Sequence, residues 1–321
     1  MDKLSLVIPV HNEERNLKIL YDEVLKVLHP LKLDYEFVFV DDGSLDASYS
    51  VLKSLAEKDS NVKIVKLMSN YGQSSAIAAG VEHSEGDVIV TMDSDLQHDP
   101  KDIPKMLEQL KKGYQVVCGW RVGRNSSDSF FSKSIPSRIS NWLINKWTGL
   151  NLKDSTGGMR AFEKRVTDNV QIYGEMHRYL PILAAWKGFK VTEVPINIRK
   201  RKFGKTKYNF KRLSRGFFDL VTVKFLMSYS TRPIQMFGGV GVILFLIGIL
   251  TGIYLLIEKF AYHVHIMQAH QPLLLLVILL IILGFNFISF GLIADMISFD
   301  AITSKKRTVY IVDKVIQKKL K

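Results

Sequence analysis

Two stretches in the last third of this chain constrain its fold more than any other feature: Ile234 to Ile257 and Pro272 to Ala294 contain no Asp, Glu, Lys or Arg. Each exceeds the roughly 20 residues that a helix needs to cross the hydrocarbon core of a bilayer. A buried helix of that length in a soluble protein shows a polar face, and neither stretch has one. Two membrane spans are therefore expected, joined by Glu258 to Gln271. The only Lys or Arg in that loop is Lys259, so the positive-inside rule puts both chain ends in the cytoplasm.

The charge distribution points to the same partner. Of the net +13, Arg199 to Arg215 supplies nine basic residues and no acid, and Ala301 to Lys321 supplies seven against Asp313 alone, which leaves everything else at about −2. Basic charge that flanks apolar spans meets anionic lipid headgroups, which makes a nucleic-acid partner unnecessary. Between the first basic run and the first span, Phe217, Phe218, Val221, Phe225 and Leu226 give Leu213 to Met227 an apolar side. That pattern suits a helix lying in the membrane interface, with an ordinary packed helix of the soluble part as the alternative. Leu4 to Val10, interrupted by Pro9 and followed by Asn12-Glu13-Glu14-Arg15, does not read as a signal peptide. One cysteine, Cys118, builds no disulfide framework, which fits a reducing compartment.

Ahead of the membrane module, short β-branched runs alternate with amphipathic stretches. Leu4 to Val10, Phe37 to Val40, Val62 to Leu67, Val88 to Thr91 and Gln115 to Cys118 read as strands buried on both faces. Glu14 to Leu28, Ala47 to Lys58, Ser74 to His83 and Pro100 to Lys112 read as helices between them. This alternation predicts an α/β domain, a mostly parallel sheet with helices on both faces. The expected organisation is a cytosolic domain over 1–212, a juxtamembrane helix over 213–230, a two-helix hairpin over 231–299 and a basic tail over 300–321. Thr308 to Val312 in the tail reads as an edge strand, pairing with its own domain or with another chain, and leaves room for a homo-oligomer.

A polar cluster follows each of the five strands: His11-Asn12-Glu13, Asp41-Asp42-Gly43-Ser44, Asn70-Tyr71-Gly72-Gln73, Asp93-Ser94-Asp95 and Gly119-Trp120-Arg121. Ligands of open α/β sheets bind outside the carboxyl ends of the strands. Asp93 and Asp95, two apart at a strand end, point the same way and suit a hard divalent cation shared with substrate phosphate oxygens. Alone, any one cluster is equally a turn or a helix cap; together they predict a nucleotide and metal site. Neither Gly-x-Gly-x-x-Gly nor Gly-x-x-x-x-Gly-Lys-Ser/Thr occurs, so side chains and a metal, not a glycine-rich cradle, must hold the nucleotide. Nor is there a His/Cys cluster with metal-ligand spacing.

Ser5-Leu-Val-Ile-Pro-Val-His-Asn-Glu13, Val40-Asp-Asp-Gly-Ser44, Asn70-Tyr-Gly-Gln73 and Asp93-Ser-Asp-Leu-Gln97 resemble the cytosolic GT-A domain of family 2 inverting glycosyltransferases. Gly157-Gly-Met-Arg-Ala-Phe162 and Arg201-Lys-Phe-Gly-Lys-Thr-Lys-Tyr208, followed by two spans, narrow the resemblance to the polyprenyl-phosphate glycosyltransferases. These include dolichol-phosphate mannosyltransferases and the bacterial glucosyltransferases of O-antigen glucosylation, and the two-span layout is closer to the bacterial branch.

The resemblance implies an integral inner-membrane enzyme that transfers a hexose from a nucleotide diphosphate sugar, glucose from UDP-glucose first, to a polyprenyl phosphate with Mg2+ or Mn2+. Mannose, N-acetylhexosamine and aminoarabinose derivatives remain open. Pro9, Glu13, Asp42 and Asp93 would surround base and ribose, joined along the same edge by His11, Asn70, Gly72 and Ser94. Asp95 with Gln97, and Asp93 beside them, would hold the metal. His11 stands where the family usually has Tyr. Arg121 and Arg138 would grip a phosphate of donor or acceptor, and Arg201 and Lys205 the lipid phosphate. Asp154 would be a general base or charge organiser, although a cap explains it as well. A processive polysaccharide synthase would carry Gln-x-x-Arg-Trp, a context none of the four tryptophans has. A non-catalytic scaffold would have no use for both Asp93 and Asp95.

Overall fold

The computed structural model describes residues 3–122, 152–154, 157–170, 179–199, 225, 229, 233–303 and 312–316. They fall into two units, residues 1–223 with 308–321 and residues 224–307.

The first unit is an eight-stranded sheet flanked by helices. In chain order it contains β1 (Lys3–Val10), α1 (Glu14–Leu28), β2 (Asp34–Asp41), α2 (Ser48–Lys58), β3 (Val62–Leu67), α3 (Gln73–Glu82) and β4 (Val88–Thr91). Then follow α4 (Ile103–Lys111), β5 (Val116–Val122), β6 (Arg160–Glu163), α5 (Lys164–Asn169), α6 (Leu180–Trp186), β7 (Val191–Asn197) and, from the far end of the chain, β8 (Val312–Ile316). Strand order is β7-β5-β6-β4-β1-β2-β3-β8. The β1, β2, β3 and β4 strands pair in parallel, as do β5 and β7, while β6 runs antiparallel between β4 and β5 and β8 antiparallel along β3.

Alternation along β1 explains the layering. Leu4, Leu6, Ile8 and Val10 share a core with Leu17, Leu20 and Val24 of α1, Leu52 and Leu55 of α2, and Ile103, Met106 and Leu110 of α4. Phe37 and Phe39 stack at 5.7 Å within that layer. At full burial each large side chain contributes about 1.5–3 kcal/mol, so this layer is the main source of the domain's stability.

Strand β1 lies between β2 and β4, so the chain leaves it to one side through β2 and β3 and returns on the other through β4. That reversal opens a crevice at the carboxyl ends of β1 and β4. Because β6 is antiparallel, its first residue Arg160 pairs with Thr91, the last of β4, and the Gly157–Met159 turn before it sits at the same edge.

The second unit is a hairpin of α7 (Pro233–Ala261) and α8 (Gln271–Thr303). Both are long and apolar enough to cross a membrane. They pack closely: a Cβ on Gly241 would meet the Gly284 carbonyl oxygen at 2.7 Å, the small-residue contact through which apolar helices associate in lipid. The outward faces stay apolar, with Leu250, Phe285 and Met296 exposed.

Candidate functional site

Four loops after β1 to β4 meet at the crevice and are tied by side chain to main chain bonds. The main-chain N–H of Asn12 donates to Ser44 Oγ at 3.1 Å, and that of Glu13 to Ser48 Oγ at 2.9 Å. The N–H of Glu14 donates to Asp46 Oδ2 at 3.2 Å while Glu14 Oε2 accepts from Ala47 N–H at 3.0 Å. The starts of α1 and α2 thus satisfy each other's orphan donors. Glu13 itself caps nothing; its carboxylate accepts from the Asn16 side chain.

His11 sits where these loops converge, and its tautomer follows from its neighbours. Asn12 Oδ1 accepts from Leu45 N–H at 2.7 Å and Asn70 Oδ1 from Gly72 N–H at 3.1 Å, which orients both amides. Their Nδ2 groups then donate to His11 Nε2 at 3.2 and 3.0 Å, and His11 Nδ1–H donates to the Asp42 carbonyl at 2.8 Å. Both ring nitrogens are engaged, so the ring offers a ligand its face and not its edge. Asp42, 4% exposed, accepts from the N–H groups of Tyr71 at 2.7 Å and Gly72 at 2.9 Å. Burial pushes its carboxyl above the ordinary range, against the pull of those two donors.

The β4–α4 loop carries Asp93, Ser94, Asp95 and Gln97. Asp95 is buried, and its Oδ1 accepts the Gln97 N–H at 3.1 Å. Between them Leu96 is buried with φ +61, a left-handed conformation uncommon outside glycine and concentrated at functional sites. Asp93 is held differently. Gln73 Nε2 donates to its Oδ1 at 2.7 Å, and Nε2 of buried His98 lies 3.4 Å from its Oδ2. The chain after β7 returns to this loop: His98 and Ile198 form a bridge, and Arg199 N–H donates to the Gln97 carbonyl at 2.8 Å. The Arg199 guanidinium reaches Asp99 at 2.7 Å and also Glu23.

Across the crevice, Arg121 of β5 binds Asp154 with Nε to Oδ2 at 2.6 Å and Nη2 to Oδ1 at 2.9 Å. The N–H groups of Lys153 and Asp154 meet Glu193 Oε2 at 2.7 and 3.5 Å. Beneath them Arg160, 2% exposed, brings positive charge near both Asp93 and Asp154. Cys118, fully buried beside it, has its thiol pushed up to about 12 by burial and is inert.

The structure therefore gathers His11, Glu13, Asp42, Asn70, Gly72, Asp93, Ser94, Asp95, Gln97, Arg121 and Asp154 along the sheet edge, with Pro9 inside β1, pairing Val40. Arg138, Arg201 and Lys205 lie outside the described residues. His98, Glu193 and Arg199 join the site without having been singled out as site residues, and Gln73 and Arg160, which stand inside the Asn70–Gln73 and Gly157–Phe162 motifs, join it without having been given a role. The donors at Asp95, Gln97 and Asp93 are all oxygen, the chemistry that suits Mg2+ or Mn2+. Among the described residues no three His, Cys, Asp or Glu side chains converge on one point.

Residues 5–171 match the model of Glycosyl transferase family 2. The chain is 34% identical over 300 residues to the dodecaprenyl-phosphate galacturonate synthase of Rhizobium johnstonii, covering 92% of this chain and 88% of the relative. It is 36% identical over 298 residues to the undecaprenyl-phosphate 4-deoxy-4-formamido-L-arabinose transferase of Sodalis glossinidius, covering 92% and 89%. Among solved structures, the glucosyl-3-phosphoglycerate synthase of Mycobacterium tuberculosis in complex with Mn2+, UDP and phosphoglyceric acid superposes with TM-score 0.55 at 16% identity, over 70% of this chain and 78% of that one. The last likeness supports the GT-A type of fold. With its family 2 domain, and with relatives matched over nearly their whole length, the chain belongs to glycosyl transferase family 2, among its polyprenyl-phosphate glycosyltransferases.

Proposed function

We propose that the protein transfers a glycosyl group from a nucleotide diphosphate sugar to a polyprenyl phosphate at the cytoplasmic face of a membrane, with inversion at the anomeric carbon. The observation that carries this reading is the bond from Arg199 N–H to the Gln97 carbonyl. The basic run that leads to the apolar helices starts against the loop holding Asp95, so a lipid phosphate and a sugar diphosphate can be presented to one crevice.

The loops around His11 and Asp42 receive the nucleoside, with the imidazole face toward the base. Asp95 and Gln97 would hold the divalent metal, with Asp93 next to it on the nucleotide side, an arrangement of few protein ligands that leaves room for diphosphate oxygens. A Mg2+ or Mn2+ ion bound there supplies Lewis-acid stabilisation of the leaving diphosphate. The phosphate oxygen of the acceptor forms the new bond to the anomeric carbon as the bond to the diphosphate breaks on the opposite face. A phosphate monoester, with its second pKa near about 6, is already largely anionic at neutral pH and needs little help from a base. Neutralising two anions is the harder task, and Arg121, Arg138, Arg201 and Lys205 serve it. Asp154, engaged by Arg121 through both oxygens, acts as charge organiser.

The donor sugar is open between glucose, the first expectation, and the galacturonate and 4-deoxy-4-formamido-L-arabinose that relatives' names carry. Detergent-solubilised protein with Mg2+ or Mn2+, undecaprenyl phosphate and each nucleotide sugar in turn is expected to form glycosyl lipid with one of them. Formation should fall at least about 100-fold in Asp95→Asn, as expected for a lost electrostatic stabiliser of the transition state. Full activity after chelation and in that variant would remove the metal role.

A further inference from the structure

Asp93 is enclosed by groups that have so far had no part in the chemistry. Gln73 opens α3 and reaches across to Oδ1; His98 closes the β4–α4 loop and reaches Oδ2. On the third side the Gly158 main chain comes so close that a Cβ would stand 2.7 Å from Asp93 Oδ2 and 2.8 Å from His98 Nε2. Three separate segments thus converge on one carboxylate.

We propose that Gln73 and His98 are positioning residues that commit Asp93 to the sugar nucleotide and leave the metal to Asp95. This rests on the donor-site reading above and divides the motif's labour. The Gln73 N–H donor at Oδ1 and the His98 ring 3.4 Å from Oδ2 hold the carboxylate plane in one orientation and occupy the approach a cation would otherwise take. For His98 to donate, its hydrogen must sit on Nε2, and its buried Nδ1 then has no hydrogen-bond partner among the described residues. Packing alone would not favour a buried histidine with one nitrogen left unsatisfied, whereas a histidine kept to orient Asp93 accounts for it. Asp95 is shaped by its own loop instead, through the Gln97 N–H two residues on. It therefore keeps the local geometry of a metal-binding turn while Asp93 is anchored to distant elements.

The test separates nucleotide from metal in the full chain. UDP affinity is measured by calorimetry at saturating Mn2+, and Mn2+ affinity by the free-ion electron paramagnetic resonance signal at saturating UDP. Gln73→Ala and His98→Ala are expected to weaken UDP by about tenfold or more, the usual scale for a group that orients a ligand-binding side chain, with Mn2+ affinity within about twofold of wild type. His98→Gln, which restores an N–H donor of similar reach, should recover most of the UDP affinity, and a purely structural role would not show this rescue. Asp95→Asn should instead lose Mn2+ by more than about tenfold. If Gln73→Ala and His98→Ala weaken Mn2+ as Asp95→Asn does, leave UDP unchanged, or if His98→Gln behaves like His98→Ala, the division of labour is wrong. Wild-type protein that retains no Mn2+ with UDP would overturn the donor-site reading, and this inference with it.

Discussion

Arg121 holds Asp154 with two parallel hydrogen bonds, 2.6 Å from Nε to Oδ2 and 2.9 Å from Nη2 to Oδ1. A carboxylate so engaged is a poor proton acceptor, and a guanidinium so engaged still faces the crevice with its remaining donors. Asp154→Asn is therefore expected to lower kcat by less than about 100-fold, the bottom of the range for losing a general base. Arg121→Ala removes the two hydrogen bonds that Arg121 makes to a buried carboxylate, leaving Arg160 as a nearby positive charge, and should cost about 1–3 kcal/mol of stability, with a larger loss of activity than Asp154→Asn. Steady-state kinetics and thermal unfolding in detergent check both. A kcat drop of several thousandfold in a well-folded Asp154→Asn protein would restore Asp154 as the base.

Gly43 supports the nucleoside side of the crevice. Its φ is +62, and a Cβ there would stand 2.6 Å from Asn70 N and from Ser69 C, both main chain and unable to yield. Gly43→Ala combines left-handed strain with overpacking, about 2–4 kcal/mol together. It should also push the β3–α3 loop from the β2–α2 loop and break the bonds of Asp42 to Tyr71 and Gly72. Nucleotide affinity should fall even under conditions where the protein stays folded, which calorimetry at low temperature would show.

The β1 to β5 strands and the helices between them were legible because buried parallel strands are continuous apolar runs, and their ends agree with the structure to within a few residues. Two strands were not. Arg160-Ala-Phe-Glu163 is short and opens on a buried arginine, which argues against a central strand until β4 and β5 are seen on either side. Val191–Asn197 is half-exposed. The tail strand was expected over Thr308 to Val312; Thr308 to Ile311 lie outside the described residues, and the strand described is Val312–Ile316. At the site, motif residues announced themselves while their pairings did not. Gln73 is 20 positions from Asp93, and Glu193 is 39 from Asp154. Contacts of that kind exist only once the sheet is assembled.

At the edge of the sheet opposite the site, charge is buried for stability. Lys63 meets Glu36 at 3.2 Å and Glu85 at 2.7 Å, and Lys3 meets Glu85 at 2.8 Å. Hydrogen bonds from Lys3 and Lys63 pull the Glu85 carboxyl down to about 2 from its ordinary 4.5. A depressed carboxyl contributes stability that is complete above the unfolded value and lost as pH falls through the folded one. The stability owed to Glu85 should thus disappear between pH 4.5 and about 2. Because Glu85 is half exposed, solvent screening holds its share to about 1 kcal/mol or less. Glu85→Gln should flatten the decline over that window and lower stability slightly at neutral pH, as read from unfolding midpoints in a pH series.

The last strand ties the end of the chain to the domain that begins it. Val312–Ile316 runs antiparallel to β3, with Val315 opposite Val65 and Lys314 opposite Lys66. Without it β3 would be an edge strand with a row of unpaired N–H and C=O groups, the usual template for edge-to-edge aggregation. Deleting residues 304–321 should leave the crevice loops intact, since among the described residues the bonds that tie those loops do not involve this strand, yet lower the unfolding midpoint and promote concentration-dependent aggregation. Val315→Pro removes one ladder donor without shortening the chain and should shift both properties in the same direction by less. Nucleotide binding of the freshly purified, unaggregated protein should survive in both variants. If binding is lost while the fold persists, the strand contributes to the site as well as to the edge; if neither midpoint nor aggregation changes, it contributes to neither.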